Sequence, residues 1–197
     1  MNIVFSWGFL SALIIFVSGW HYMWAIYKKE IERPVLSTLG IWMMLGFFLL
    51  INSEENGSTI EDTKLAIWLG FINPTIIFLL AVSYGKWAWN KIDSYCTVLF
   101  LIAFVLWETL DSPIVGLWGF IIAEGIASIP VVLKSWNNSK DEPWLPWVLF
   151  CLGSAVNLLA VAEWEVKNYL YPMYMTSAGA LISLPLVIHR MKLKRIL

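Results

Sequence analysis

Glu124 is the one charged side chain that falls deep inside an apolar run of this chain. It lies ten residues before Lys134, about 15 Å from the polar end of that run at about 1.5 Å per residue. A carboxyl at such depth is costly unless it is paired or hydrated, so it marks a site by default. Its chemistry suits holding a polar group of a solute or relaying a proton. His21, seven residues before Lys28, is a second candidate proton relay, about 10 Å deep by the same rise. Asn73, with Trp68 about one turn away, and the adjacent Thr176 and Ser177 add an amide, an indole and two hydroxyls at similar depth in two other runs. Together with Trp42 and Glu124 they form a candidate lining for a small polar or sugar-like solute. The same groups also serve as hydrogen-bonding glue between helices, and Glu124 as a packing contact.

Other chemistry lacks its motifs. The sequence has no HExxH, GxSxG or Walker loop, and no two Asp lie within apolar runs. Nothing assembles a nucleophile with a base, so no enzyme is expected. Lys167 sits at the edge of its run, where a retinal Schiff base would need a Lys at mid-run. Cys96 and Cys151 both fall in apolar runs without metal-ligand spacing, and read as small buried hydrophobes. No metal and no cofactor are expected. A net charge of −1 with no basic stripe gives no reason to expect nucleic acid as a partner.

The elements that must carry these residues are set by composition. Of 197 residues, 59% are hydrophobic and only 14% are charged. A soluble domain has about 25% charged residues, and one this small cannot hide so much apolar surface. The lipid bilayer is the expected partner. Runs near the 20 residues that cross hydrocarbon fall at about 3–27, 35–52, 63–83, 94–110, 112–134, 144–162 and 168–190. The first lacks a basic start and a cleavage pattern, so it reads as a permanent helix, not a signal peptide. Strict alternation of the connectors puts 11 of the 13 basic residues on one side and Lys64 and Lys167 on the other. The positive-inside rule then places the N-terminus outside and the C-terminus in the cytoplasm. Trp and Tyr crowd the run ends, as in "YGKWAW" and "PWLPW", where amphipathic rings suit the headgroup level.

One phrase occurs twice. "KKEIERPVLSTLGIW" at Lys28–Trp42 and "KSWNNSKDEPWLPW" at Lys134–Trp147 both leave an apolar run through Lys, cross a polar loop, and enter the next run at a Pro preceded by a charge. Lys28 and Lys134, Pro34 and Pro143, and Pro74 and Pro185 are 106, 109 and 111 residues apart. This spacing predicts an all-α polytopic membrane protein: seven transmembrane helices in a 3+1+3 parallel-repeat arrangement, with a site between the halves. The expected units are a first three-helix bundle over 1–83, an inverting linker helix over 84–111, and a second bundle with a basic tail over 112–197. Pro74, Pro130 and Pro185 fall inside runs and are candidate hinges or static bends. The basic tail "HRMKLKRIL" suits anionic lipid or simply marks topology.

The segments "RPVLSTLGIW", "NKIDSYCTVLFLIAFVLWETLDSP", "IAEGIASIPVVLKSW", "DEPWLPW" and "LYPMYM" cover much of the chain. On them the sequence resembles the PQ-loop superfamily, which includes the SWEET sugar facilitators, and most resembles its bacterial seven-span members. No Pro-Gln pair occurs; the loop positions read Arg33-Pro34 and Glu142-Pro143. Where the facilitators carry Asn in both the third and seventh spans, this chain has Asn73 and then Thr176 and Ser177. The resemblance implies a facilitator or proton-coupled carrier of a small polar solute in a bacterial cytoplasmic membrane, working by alternating access, with a homo-oligomer allowed. The alternative on the same scaffold is a non-transporting receptor or partner subunit.

Overall fold

The computed structural model describes residues 6–31, 34–55, 61–85, 89–109, 113–161 and 163–194. They form an all-α fold of seven helices: α1 (Trp7–Tyr27), α2 (Leu36–Glu55), α3 (Glu61–Tyr84), α4 (Lys91–Thr109), α5 (Pro113–Asn137), α6 (Trp144–Leu159) and α7 (Val166–Lys194). A 3₁₀ turn at Ser139–Asp141 links α5 to α6.

Local chemistry sets the helix ends. Ser6 caps α1, its hydroxyl accepting the Phe9 N–H at 3.1 Å. At the other end of α1, Lys29 takes a left-handed backbone with φ 59°. The Glu30 N–H then reaches the Ala25 carbonyl and the Lys29 N–H reaches that of Ile26, which closes the helix in a Schellman turn. Asn90 and Asp93 start α4 reciprocally. The Asn90 side chain accepts the Ile92 N–H at 2.7 Å, and Asp93 accepts the Asn90 N–H at 2.9 Å.

The structure corrects the expectation of seven membrane crossings. Among the described residues, three helices are long and apolar enough to cross: Trp7–Tyr27, Trp118–Asn137 and Asn168–Leu193. The described stretches Leu36–Phe47, Phe71–Tyr84 and Trp144–Leu159 are apolar but shorter. Length is the physical reason at α6. Helix α6 has 16 residues, a rise of about 24 Å against a hydrocarbon core of about 30 Å. An apolar run in sequence is therefore not automatically a crossing. The membrane-spanning 3+1+3 arrangement, N-terminus out and C-terminus in, falls with the count of seven. The three crossing helices make this an integral membrane protein.

Helix α1 packs on α6 and α3; α2 packs on α3, α5 and α4; α7 packs on α6 and α5; and α4 packs on α5. Hydroxyls tie these seams. Ser11 donates to the Gly153 carbonyl at 2.8 Å, Ser18 to that of Pro146 at 2.7 Å, and Thr38 to that of Ala127 at 2.6 Å. Two glycines allow close approach: a Cβ on Gly153 would strike Ile15, and one on Gly179 would lie 2.9 Å from the Cys151 backbone. The outer surface is apolar, with Leu79, Val98, Ile102, Val105, Ile122 and Leu152 all exposed, as suits a lipid-facing wall.

The C-terminal ends of α1, α3, α5 and α7 meet the N-terminal ends of α2, α4 and α6 on one face. Tyr27 stacks edge-on to Tyr84 with ring centroids 5.7 Å apart, and Arg190 lies 4.7 Å over the Trp144 ring. Ser37 hydrogen-bonds Asp93, and Lys134 pairs with Glu142. Among the described residues, this face carries Lys28, Lys134 and Arg190.

Candidate functional site

A cavity of about 180 Å³ lies within the bundle, and six helices line it. Each contributes residues at helical spacing, which puts them on one face. Helix α1 gives Ser18, Gly19 and Tyr22; α2 gives Leu39, Trp42 and Leu45; α3 gives Asn73, Pro74 and Ile77. Helix α5 gives Phe120 and Glu124, α6 gives Trp147 and Phe150, and α7 gives Tyr171 and Met175. Most of this wall is apolar or aromatic. Adjacent rings cross, with Trp42 and Trp147 centroids 6.0 Å apart at 61° and Phe120 and Tyr171 5.4 Å apart at 62°.

Three wall residues each keep a buried polar atom without a hydrogen-bond partner: Trp42 Nε1, Asn73 Oδ1 and Glu124 Oε2. Glu124 and Asn73 are both 7% exposed. The Tyr171 hydroxyl donates to the Glu124 carboxyl, so one carboxyl oxygen is engaged and the other is not. The Asn73 amide occupies the space that a side chain on Gly19 would fill, so a larger residue there would displace Asn73.

A paired polar cluster adjoins the cavity toward the basic face. Tyr22 donates to Glu142 Oε1 at 2.7 Å, Trp147 donates to the same oxygen at 3.2 Å, and Lys134 reaches Glu142 Oε2 at 2.5 Å. The Glu142 side chain is fully buried. Since Tyr22 and Trp147 also line the cavity, this carboxylate holds two of its wall residues in place.

The structure gathers Glu124, Asn73, Trp42 and Pro74 at one cavity. His21 is not on the wall; its Nδ1 meets the Val17 carbonyl of its own helix at 2.8 Å. The Thr176 and Ser177 hydroxyls donate to Pro172 and Met173 of α7, each at 2.8 Å, and neither residue lines the cavity. The Trp68 side chain lies outside the described residues. Pro130 borders a second pocket of about 270 Å³ at the basic end, with Asn90, Asp93 and Lys134. Pro185 lies inside α7, where Leu181 four residues earlier loses its helical N–H partner. The Trp136 indole supplies that bond at 3.0 Å.

Sequence reasoning missed Tyr22, Phe120, Trp147 and Tyr171. The usable signal was spacing: Phe120 lies one turn before Glu124 on the same helix face. Glu142 was read only as half of a loop phrase. Its sign was a charge set directly before Pro143 at the mouth of an apolar run. Among the described residues, no group of three His, Cys, Asp or Glu side chains is placed to hold a metal ion. Compared with protein-family models, curated proteins and solved structures, the chain matches none.

Proposed function

We propose that this protein carries a small polar solute across the membrane, binding it in the cavity between the helices. One observation carries the reading: Trp42, Asn73 and Glu124 come from three helices to one cavity, each with an unpartnered buried polar atom. Each such atom left unpaired costs about 1–3 kcal/mol. A bundle shaped for stability alone would pair these atoms or do without them. A bound solute pairs them. The resemblance to the PQ-loop facilitators points the same way and adds a bacterial cytoplasmic membrane as the location. Transport runs either as simple facilitation or coupled to a proton held on Glu124.

The test is reconstitution of the purified chain in liposomes. Uptake of a small polar solute should be saturable and fall at least about tenfold in Glu124→Gln and in Asn73→Ala. In parallel, a water-borne thiol reagent should modify a cysteine placed at Asn73, in a chain whose Cys96 and Cys151 are replaced by Ala. A protected cysteine at 73, with flux unchanged in both variants, would remove the cavity from the function. A second reading is a sensor or partner subunit that binds the solute without moving it. The Glu142 cluster favours it, since it ties Tyr22 and Trp147 into a fully paired network at the basic face. Retained binding with no flux would select it.

A further inference from the structure

We infer that the solute is a small ammonium ion bearing a single hydroxyl, held by the Glu124 carboxylate and the aromatic wall; this rests on reading the cavity as a solute site. Among the described residues that line the cavity, Glu124 is the only charged one and none is Lys, Arg or His. Lys134, ten residues further along α5, is bound to Glu142. An ionised carboxyl in an apolar interior is stabilised by a countercharge, which an ammonium ion brings and the described wall residues do not supply. An anionic solute is excluded by the same inventory.

The rings strengthen the case. Tyr22, Trp42, Phe120, Trp147, Phe150 and Tyr171 all line the cavity. An ammonium group is attracted to ring faces within about 6 Å, most strongly where water is excluded. Size limits the choice further. A cavity of about 150 Å³ holds benzene, so about 180 Å³ suits a solute of roughly six to eight non-hydrogen atoms. The remaining free groups define its other end. The Trp42 N–H needs an acceptor and the Asn73 carboxamide oxygen needs a donor. One hydroxyl offers both.

A sugar fits poorly by the same count. Its several hydroxyls would each need a partner, and the wall offers few. The Ser18 hydroxyl already donates to the Pro146 carbonyl, and Tyr22 already donates to Glu142. Each buried hydroxyl left unpaired costs about 1–3 kcal/mol.

The decisive comparison uses choline and 3,3-dimethylbutan-1-ol, which replaces the quaternary nitrogen with carbon and keeps the shape. The wild-type chain is placed in lipid nanodiscs, and radiolabelled choline binding is measured by equilibrium dialysis with unlabelled competitors. Choline should bind saturably and compete at least about tenfold better than the neutral analogue. Glu124→Gln should remove that difference. Trp42→Leu should weaken choline about tenfold or more, while Trp42→Phe, which keeps a ring and loses only the N–H donor, should weaken it less. Equal competition by the two compounds, unaltered choline binding in Glu124→Gln, or no choline binding at all would overturn the assignment. If choline fails while glucose binds, or while a cysteine at position 73 is still labelled from water, the solute cavity stands and only the ammonium assignment falls. If position 73 is also protected, both readings fall.

Discussion

Glu142 engages residues from three helices through one carboxylate: Tyr22 on α1, Lys134 on α5 and Trp147 on α6. Glu142→Ala removes the carboxylate that pairs with Lys134, whose side chain is 13% exposed, and the acceptor of the Tyr22 and Trp147 donors. Removing one partner of a buried pair costs about 3–5 kcal/mol, so this variant should unfold at markedly lower temperature in detergent. Glu142→Gln keeps an acceptor for Tyr22 and Trp147 and should lose less. The double change Glu142→Leu with Lys134→Met should recover part of the loss, because it removes both charges of the pair. Equal melting of Glu142→Ala and wild type would show that the cluster contributes nothing. Glu124, Asn73 and Trp42 were legible beforehand for an elementary reason: a carboxyl, an amide or an indole inside an apolar run stands out by its solvation cost. Tyr171 and Trp147 were not, because aromatic residues crowd this sequence at run ends, where lipid headgroups already explain them. Only packing shows which rings turn inward. Thr176 and Ser177 illustrate the converse, since a hydroxyl on a helix can bond its own carbonyls and leave nothing for a cavity.

At the scale of elements, hydrophobic runs identified the helices well and the crossings less well. A run is counted by residue type, whereas a crossing needs about 20 apolar residues in register with the hydrocarbon. Helix α6, with 16 residues, breaks that equivalence. Proline positions were likewise visible, but their compensation was not. Pro185 leaves the Leu181 carbonyl without its helical donor, and Trp136, 45 residues away in sequence, fills the gap from α5. That pairing predicts a thermodynamic cycle. Trp136→Phe should cost about 0.5–2 kcal/mol in the wild-type background, the range for hydrogen bonds between membrane helices. In a Pro185→Ala background, the restored backbone N–H satisfies Leu181, so the same change should cost close to nothing. Unfolding in increasing dodecyl sulfate measures both. Equal costs in the two backgrounds would show that the indole does not stand in for the missing bond.

For the whole molecule, the seam between the first three helices and the rest is the feature on which the cavity depends. Its walls come from α1, α2 and α3 on one side and α5, α6 and α7 on the other. The two sides meet where α1 packs on α6 and α2 packs on α5. The repeated phrase in the sequence pointed to two halves with a site between them; it gave no sign of which residues tie them, because Ser11, Ser18 and Thr38 look like ordinary small residues until the carbonyls opposite them are known. If the seam is held by complementary packing and not by the connecting chain, cutting the connection should leave it intact. Fragments ending at Gly85 and beginning at Trp89, co-expressed, should purify as a one-to-one complex. Replacing Ser11 and Ser18 with Ala and Thr38 with Val removes three hydroxyl-to-carbonyl bonds of about 0.6 kcal/mol each. Association measured by energy transfer between labelled fragments in micelles should then weaken about twentyfold. Fragments that never associate, or a triple variant that associates as tightly as the parent, would place the stability of the bundle in its connections and leave the cavity without a defined partner surface.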